Sequence, residues 1–414
     1  MNDLVSTLPI QKVLAPATAD ELADCVRAAC EAQTPLYPIG GGTSLDYGLP
    51  AKAAGHGLSL QKLQRVIDYP ARDMTVTVEA GLTMAALAEL LAREGQRLPI
   101  DVPQADRATI GGVIATNWNG PRRFGEGTVR DYVIGISAVD GRGMKFKGGG
   151  RVVKNVAGYD FCKLLTGSLG TLGVITQVTL RTKPIPEQSA LLACAVPDLD
   201  AADRLLAGLV TSQTTPAAVE LLAGPVWDAE PTLRAIAQPG GGTLYLVAGL
   251  EGTGPEVESM VRQLSSEWRA AGCEEPLVVG EVPLLWSKLV EFPAAGRSPL
   301  ALLASVVPSG VTAMVAAARQ LDPQCSLQAH AGSGSIVIRL AQLPAEGVAR
   351  ALASRLRPVA AAHHGHVVVL SCEQTSELTH ASVFGATNVP VWLMDEVRRK
   401  FDPREILNRG RFVC

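Results

Sequence analysis

Apolar positions recur along this chain in two rhythms, and the rhythms lay out its elements. Beyond Thr18, residues Leu22, Val26 and Ala29 share one face of a 3.6-residue period, and Thr18-Ala19-Asp20-Glu21 has the form of a capping box, so a helix is predicted from Thr18. Leu36–Ile39 is a short apolar run that ends in glycines and reads as a strand. Val66-Ile67 reads as another, and Thr75–Ala80 alternates with period two before Gly81 stops it. Thr83–Arg93 returns to the helical period, with Gly95 placed as its C-cap. A glycine-dense stretch from Gly111 to Gly173 follows, broken by apolar runs such as Tyr132–Ala138. Gly173–Leu180 then alternates as a buried strand.

The string Thr182-Lys183-Pro184-Ile185-Pro186 breaks both rhythms and marks a domain boundary. Beyond it, Leu191–Val196 and Thr243–Val247 read as strands, and Asp200–Leu209, Val257–Ala271 and Ala345–Leu356 as helices. A last helix, Val391–Phe401, precedes Asp402–Gly410. The expected fold class is therefore α+β, with a first domain over 1–183 (lobes about 1–57 and 58–183), a second over 184–390, and a tail over 391–414.

Composition narrows the function classes. The 414 residues allow two or three domains, and 47% hydrophobic content supports a large core. Aromatic residues make up only 4% and the formal charge is −3, so no footprint for nucleic acid or for an anionic membrane is present. No signal peptide and no uninterrupted apolar stretch of spanning length are read, which leads to an expected cytoplasmic location. The eight cysteines are scattered without a CxxC pair, which argues against a zinc site or an iron–sulfur cluster built from this chain; buried free thiols are expected. No metal site is predicted.

The candidate chemistry lies in glycine-rich segments. Pro38-Ile39-Gly40-Gly41-Gly42-Thr43-Ser44 places three glycines after a strand. Such a bend lets main-chain N–H groups converge on an anion such as a diphosphate, with Thr43 and Ser44 adding hydroxyls; a plain turn is the competing reading. In Thr109-Ile110-Gly111-Gly112 followed by Ala115, Thr116 and Asn117, paired glycines allow a backbone to approach a flat ligand, or equally two elements to pack tightly. Lys154–Asp160 gathers a cation, an amide, a phenol and a carboxylate, as a surface loop also would. Gly167–Thr176 combines a turn with a strand. A Walker loop is absent, and so is a GxGxxG fingerprint opening a helix, so a nucleotide triphosphatase or an ordinary NAD enzyme is not expected.

Taken in this order, the segments resemble the flavoproteins of the vanillyl-alcohol oxidase type, with a PCMH-type two-lobed FAD-binding domain and an α+β cap of the FAD-linked oxidase C-terminal type. The resemblance covers roughly residues 10–183 and the tail Phe401-Asp402-Pro403 through Asn408 and Gly410, where Arg409 departs from the family's proline. It implies that Pro38–Ser44 holds the FAD diphosphate, that Thr109–Gly112 lies along the flavin, and that Gly173, Val174 and Ile175 meet the adenosine half. It also implies that Asn408 returns to the flavin. Arg122, Arg123 and Lys154 are the cations nearest these segments and are expected to stabilise FAD phosphate or reduced-flavin charge, a surface salt bridge being the competing reading for each. Non-covalent FAD is expected, because Thr43 stands where tethering relatives carry a histidine.

Gly120–Arg123, Val129–Val133 and Val153–Asp160 are similar to the FAD-binding E subunits of bacterial glycolate oxidases. That branch implies oxidation of glycolate, a 2-hydroxy acid, to glyoxylate. Its implied partners are a related flavin subunit and an iron–sulfur subunit that accepts the electrons, with any membrane association made through partners. A self-sufficient hydroxy-acid or sugar-acid oxidoreductase and a flavin-free scaffold are the alternatives. Related catalytic subunits carry a GHxGDGN-like string; here Ala329–Ser335 has serines in place of its acid and amide, and no catalytic base is assigned.

Overall fold

The computed structural model describes residues 8–51, 53–150, 158–237, 243–273, 275–385 and 390–412. It divides into two compact units. One comprises Met1–Asn119, Thr128–Ile185 and Thr387–Cys414; the other comprises Gly120–Gly127 and Pro186–Ala386.

The first unit opens with strand β1 (Ile10–Leu14), helix α1 (Ala19–Glu31), β2 (Leu36–Ile39) and β3 (Gly55–Ser59). The strands form a parallel sheet in the order β1-β3-β2. Parallel strands need a crossover, and α1 supplies it between β1 and β2. Thr18 caps α1 by accepting the Glu21 N–H at 3.1 Å, while the Glu21 carboxylate accepts the Ala17 N–H at 2.8 Å, one residue earlier than a capping box requires. The helix buries Leu22, Ala23, Val26 and Ala29. The outer edge of β2 is covered from the far end of the chain. Leu36 pairs in parallel with Leu407, its N–H donates to the Ile406 carbonyl at 2.7 Å, and the Asn408 N–H donates to the Leu36 carbonyl at 2.9 Å.

The same unit continues with β4 (Val66–Asp68), β5 (Thr75–Glu79), helix α2 (Met84–Ala92), β6 (Gln96–Arg97), helix α3 (Ile110–Thr116), β7 (Val133–Val139), β8 (Lys145–Gly149), β9 (Val174–Arg181) and β10 (Lys183–Pro184). Five strands make an antiparallel sheet in the order β4-β5-β9-β7-β8. The alternation along β5 does not separate core from water, because every residue of it is buried. Its polar side chains find partners instead: the Thr77 and Thr179 hydroxyls lie 3.0 Å apart, and Glu79 accepts from the Arg65 guanidinium at 2.7 and 3.0 Å.

The second unit is built on β11 (Gln188–Val196), β12 (Ala218–Ala223), β13 (Leu244–Gly252), β14 (Leu277–Val278), β15 (Leu300–Ser305), β16 (Ser326–His330), β17 (Ser335–Leu340) and β18 (His366–Cys372). They form one antiparallel sheet in the order β14-β11-β13-β12-β16-β17-β15-β18. Helices Leu199–Thr211, Gly254–Ala270 and Val311–Leu321 accompany it. The helix expected over Ala345–Leu356 starts at Val348 and loosens into a π turn over Leu352–Leu356, before Arg357–Ala362 resumes the α form. Pro358 has no N–H for the Ser354 carbonyl and its ring would crowd that carbonyl, which the wider turn relieves.

Of the cysteines, Cys162, Cys194, Cys273, Cys325 and Cys372 are buried free thiols, as expected from their scatter. No helix among the described residues is long and apolar enough to cross a membrane.

Candidate cofactor cleft

The loop that follows β2 faces α3 and the start of β9 across a cleft in the first unit, which encloses about 860 Å³ with its open mouth included. Glycine is required in the loop for two separate reasons. A Cβ on Gly41 would lie 1.7 Å from the Arg107 carbonyl oxygen, and one on Gly40 would lie 2.2 Å from the Thr109 hydroxyl, so both are pressed against the Arg107–Thr109 segment. Gly42 turns the chain at φ +73°, in the left-handed region. Among the described residues, no acceptor meets the N–H groups of Gly40, Gly41, Gly42, Thr43 or Ser44. All five residues and Pro38 line the cleft.

The opposite wall begins with Thr109, whose hydroxyl caps α3 by accepting the Gly112 N–H at 3.4 Å. The paired glycines of α3 divide the two readings between them. A Cβ on Gly111 would strike Ala80 at 2.7 Å, so this glycine serves close packing of α3 on the end of β5. A Cβ on Gly112 would meet only the Thr109 hydroxyl at 3.3 Å, and Gly112 lines the cleft. Ala115 and Thr116 continue this wall, the Thr116 hydroxyl donating to the Gly112 carbonyl at 2.9 Å. Gly173, Val174 and Ile175, at the start of β9, close the floor.

Asn408 completes the cleft from the tail. Its side-chain amide donates to the Leu169 carbonyl at 2.6 Å, which fixes its orientation. Its Oδ1 is buried without a partner in a residue that lines the cleft. A buried acceptor left unsatisfied costs about 1–3 kcal/mol. Such an atom at a cavity wall is a receptor for a ligand donor.

Three of the residues expected to bind cofactor do not line this cleft, and neither does Arg123. Ile39 turns inward and packs with Leu8 and Tyr37. Asn117 ends α3 at φ +53° and is exposed. Arg122 belongs to the second unit, where Glu251 holds its guanidinium at 2.8 Å and the Trp286 ring lies 4.1 Å from it. Lys154 lies outside the described residues. In their place the cleft gains Leu45, Tyr47, Leu60, Ala80 and Arg411, which no local pattern announces.

The second unit holds a different constellation. Glu220 and His330 face each other across the β12–β16 pair, both almost fully buried. His330 Nδ1 lies 2.9 Å from both carboxylate oxygens, and the Gln328 amide donates to the same carboxylate at 2.8 Å. A carboxylate on Nδ1 selects the tautomer that leaves Nε2 as the acceptor. Among the described residues no group of three or more metal-binding side chains gathers, and this pair is not one.

Comparison with known proteins agrees with this geometry. The family described as "FAD binding domain" matches residues 10–147, and "FAD linked oxidases, C-terminal domain" matches residues 185–288. The mitochondrial D-lactate dehydrogenase [cytochrome] of Arabidopsis thaliana is 29% identical over 97% of this chain and 73% of its own length. Glycolate oxidase subunit GlcE of Escherichia coli is 34% identical over 41% of this chain and 49% of its own. The chain thus spans about half the length of that subunit. Among solved structures, p-cresol methylhydroxylase with substrate bound superposes with a TM-score of 0.73 over 99% of this chain and 92% of its own, at 16% identity. The fold is therefore a PCMH-type FAD-binding domain followed by an FAD-linked oxidase C-terminal domain, and FAD is the cofactor. The cleft suits it, with unpaired amides for a diphosphate, apolar walls for a flat ring system and the lone Asn408 acceptor for a ligand donor.

Proposed function

We propose that this chain is an FAD-dependent oxidoreductase subunit that acts on a small 2-hydroxy acid, glycolate first among the candidates, and works beside a related flavin subunit and an iron–sulfur subunit. The observation that carries this reading is the cleft itself, with five unpaired main-chain amides opposite a small-residue wall, in a chain carrying both FAD-linked oxidase domains. The resemblance to a lactate dehydrogenase and to a glycolate oxidase subunit supports the substrate class. The scattered cysteines support an electron exit through another chain.

Bound FAD supplies a two-electron acceptor for the substrate's α-hydrogen. The protein's share is to hold the cofactor, to shield it from water and to take the hydroxyl proton. The Gly40–Ser44 amides and Asn408 would hold it.

The test is anaerobic mixing of the FAD-loaded chain with glycolate, D-lactate and D-2-hydroxyglutarate while flavin absorbance is followed. Bleaching by one of these acids supports the substrate class. Bleaching only after a cysteine-rich partner and sister flavin chain are added supports the relay role. A chain that stays yellow with every acid, alone and in the purified complex, refutes the proposal.

A further inference from the structure

Arg411 is buried at 6% exposure and lines the cleft; among the described residues no carboxylate lies within ion-pair distance of it, and Asp46 acts on its charge only from farther away. Its Nη2 donates to the carbonyls of Leu45 and Tyr47, the latter at 2.8 Å, and its Nε donates to the Leu49 carbonyl at 3.2 Å. No acceptor among the described residues meets Nη1. The backbone around it is equally committed. The Leu49 N–H donates to the Arg411 carbonyl at 2.9 Å, and a Cβ on Gly48, at φ +83°, would lie 2.2 Å from the same oxygen. The 45–49 loop that wraps Arg411 is the direct continuation of the Gly40–Ser44 bend.

Three carbonyl dipoles soften the burial of a guanidinium but do not neutralise it, and desolvation lowers its pKa. A buried cation without a counter-ion is expensive unless a ligand provides one. The cleft's ligand carries anionic groups, and a guanidinium fork matches them. We infer that Arg411 is the positioning cation of the cofactor cleft, clamping the 45–49 loop with one edge and offering the other to an anionic group of the flavin nucleotide. That group is either the diphosphate or the flavin ring in its reduced, anionic form. The inference rests on FAD occupying this cleft.

The experiment compares FAD and riboflavin, which lacks phosphate, binding to apoprotein of the wild type, Arg411→Gln and Arg411→Lys, by fluorescence titration, with near-UV circular dichroism confirming the fold. It adds the midpoint potential of the bound flavin. If Arg411 faces the diphosphate, Arg411→Gln lowers FAD affinity at least about tenfold more than riboflavin affinity, the loss expected for one charge-assisted contact. If it faces the ring, both affinities move together and the potential falls, a tenfold loss of preference for the reduced form being about 30 mV. Arg411→Lys keeps the charge but cannot hold three carbonyls, so it melts earlier while keeping the FAD-to-riboflavin ratio and the potential within about threefold of wild type. Unchanged ratio and potential in Arg411→Gln, or their collapse in a folded Arg411→Lys, would overturn the inference. Wild-type protein that fails to bind FAD would instead sink the proposed function.

Discussion

Replacing Gly41 by alanine is the sharpest probe of the cleft. The added methyl carbon would start 1.7 Å from the Arg107 carbonyl oxygen and 2.5 Å from its carbon, and both are backbone atoms that no rotamer change can move. Real Cβ atoms keep at least 3.0 Å, so the bend must retreat by at least 1.3 Å, the difference of 3.0 and 1.7. A hydrogen bond of about 2.9 Å stretched by that amount passes beyond 3.5 Å and ceases to be one. Two amides displaced from a phosphate lose roughly 1.5–3 kcal/mol each as hydrogen bonds to a charged group. The sum, roughly 3–6 kcal/mol, corresponds to about two to four decades in Kd. FAD affinity of the apoprotein, measured by calorimetry or fluorescence, is expected to fall by at least about a hundredfold. Near-UV circular dichroism of the apo form should stay close to wild type, because Gly41 is in a surface loop of the first unit. Retention of FAD within about threefold by a folded Gly41→Ala protein would mean that this bend does not grip the diphosphate.

Three further outcomes are expected. Asn408→Asp puts a carboxylate against the Leu169 carbonyl that now accepts its amide at 2.6 Å, so FAD affinity should fall by about tenfold or more, read by equilibrium dialysis. Asp402 is fully buried, accepts the Leu407 N–H at 2.7 Å and has its pKa raised by burial, so the folded state gains from its protonation. That gain is complete below the unfolded value of 3.8 and is lost as pH rises through the higher folded value. The melting temperature of wild type minus that of Asp402→Asn should therefore decline from pH 4 upward, and a rise would contradict it. Gly208 sits inside helix Leu199–Thr211, and a methyl group added to it would meet nothing within 4 Å, so Gly208→Ala should stabilise the second unit by up to about 1 kcal/mol in urea.

Local chemistry was readable where a single residue type is obligatory. The triglycine bend and the strand at Val174 follow from backbone freedom and periodicity, whereas Thr109, as the cap of α3, is not announced by its pattern. What local pattern could not supply was proximity. Arg122 is near the flavin-binding strings in sequence, yet Gly120–Gly127 folds with the second unit and Glu251 claims the side chain. Arg411 and Tyr47 meet across 364 positions, and Glu220 and His330 across 110, so no window of sequence displays either pair. Gly111 and Gly112 are adjacent and chemically identical, and only the position of Ala80 tells the glycine that packs from the one left open to the cleft.

The pairing of Leu36 with Leu407 sets a clock on biosynthesis. The two partners are 407 − 36 = 371 positions apart. At about 5–20 residues per second, a ribosome needs roughly 20–75 s to deliver the second after the first. Throughout that interval the nascent polypeptide lacks one wall of its flavin chamber. Prosthetic-group capture is thus predicted to be a late event, and ribosome-bound chains arrested before Asp402 should stay colourless in excess FAD; yellow arrested chains would show that capture precedes closure.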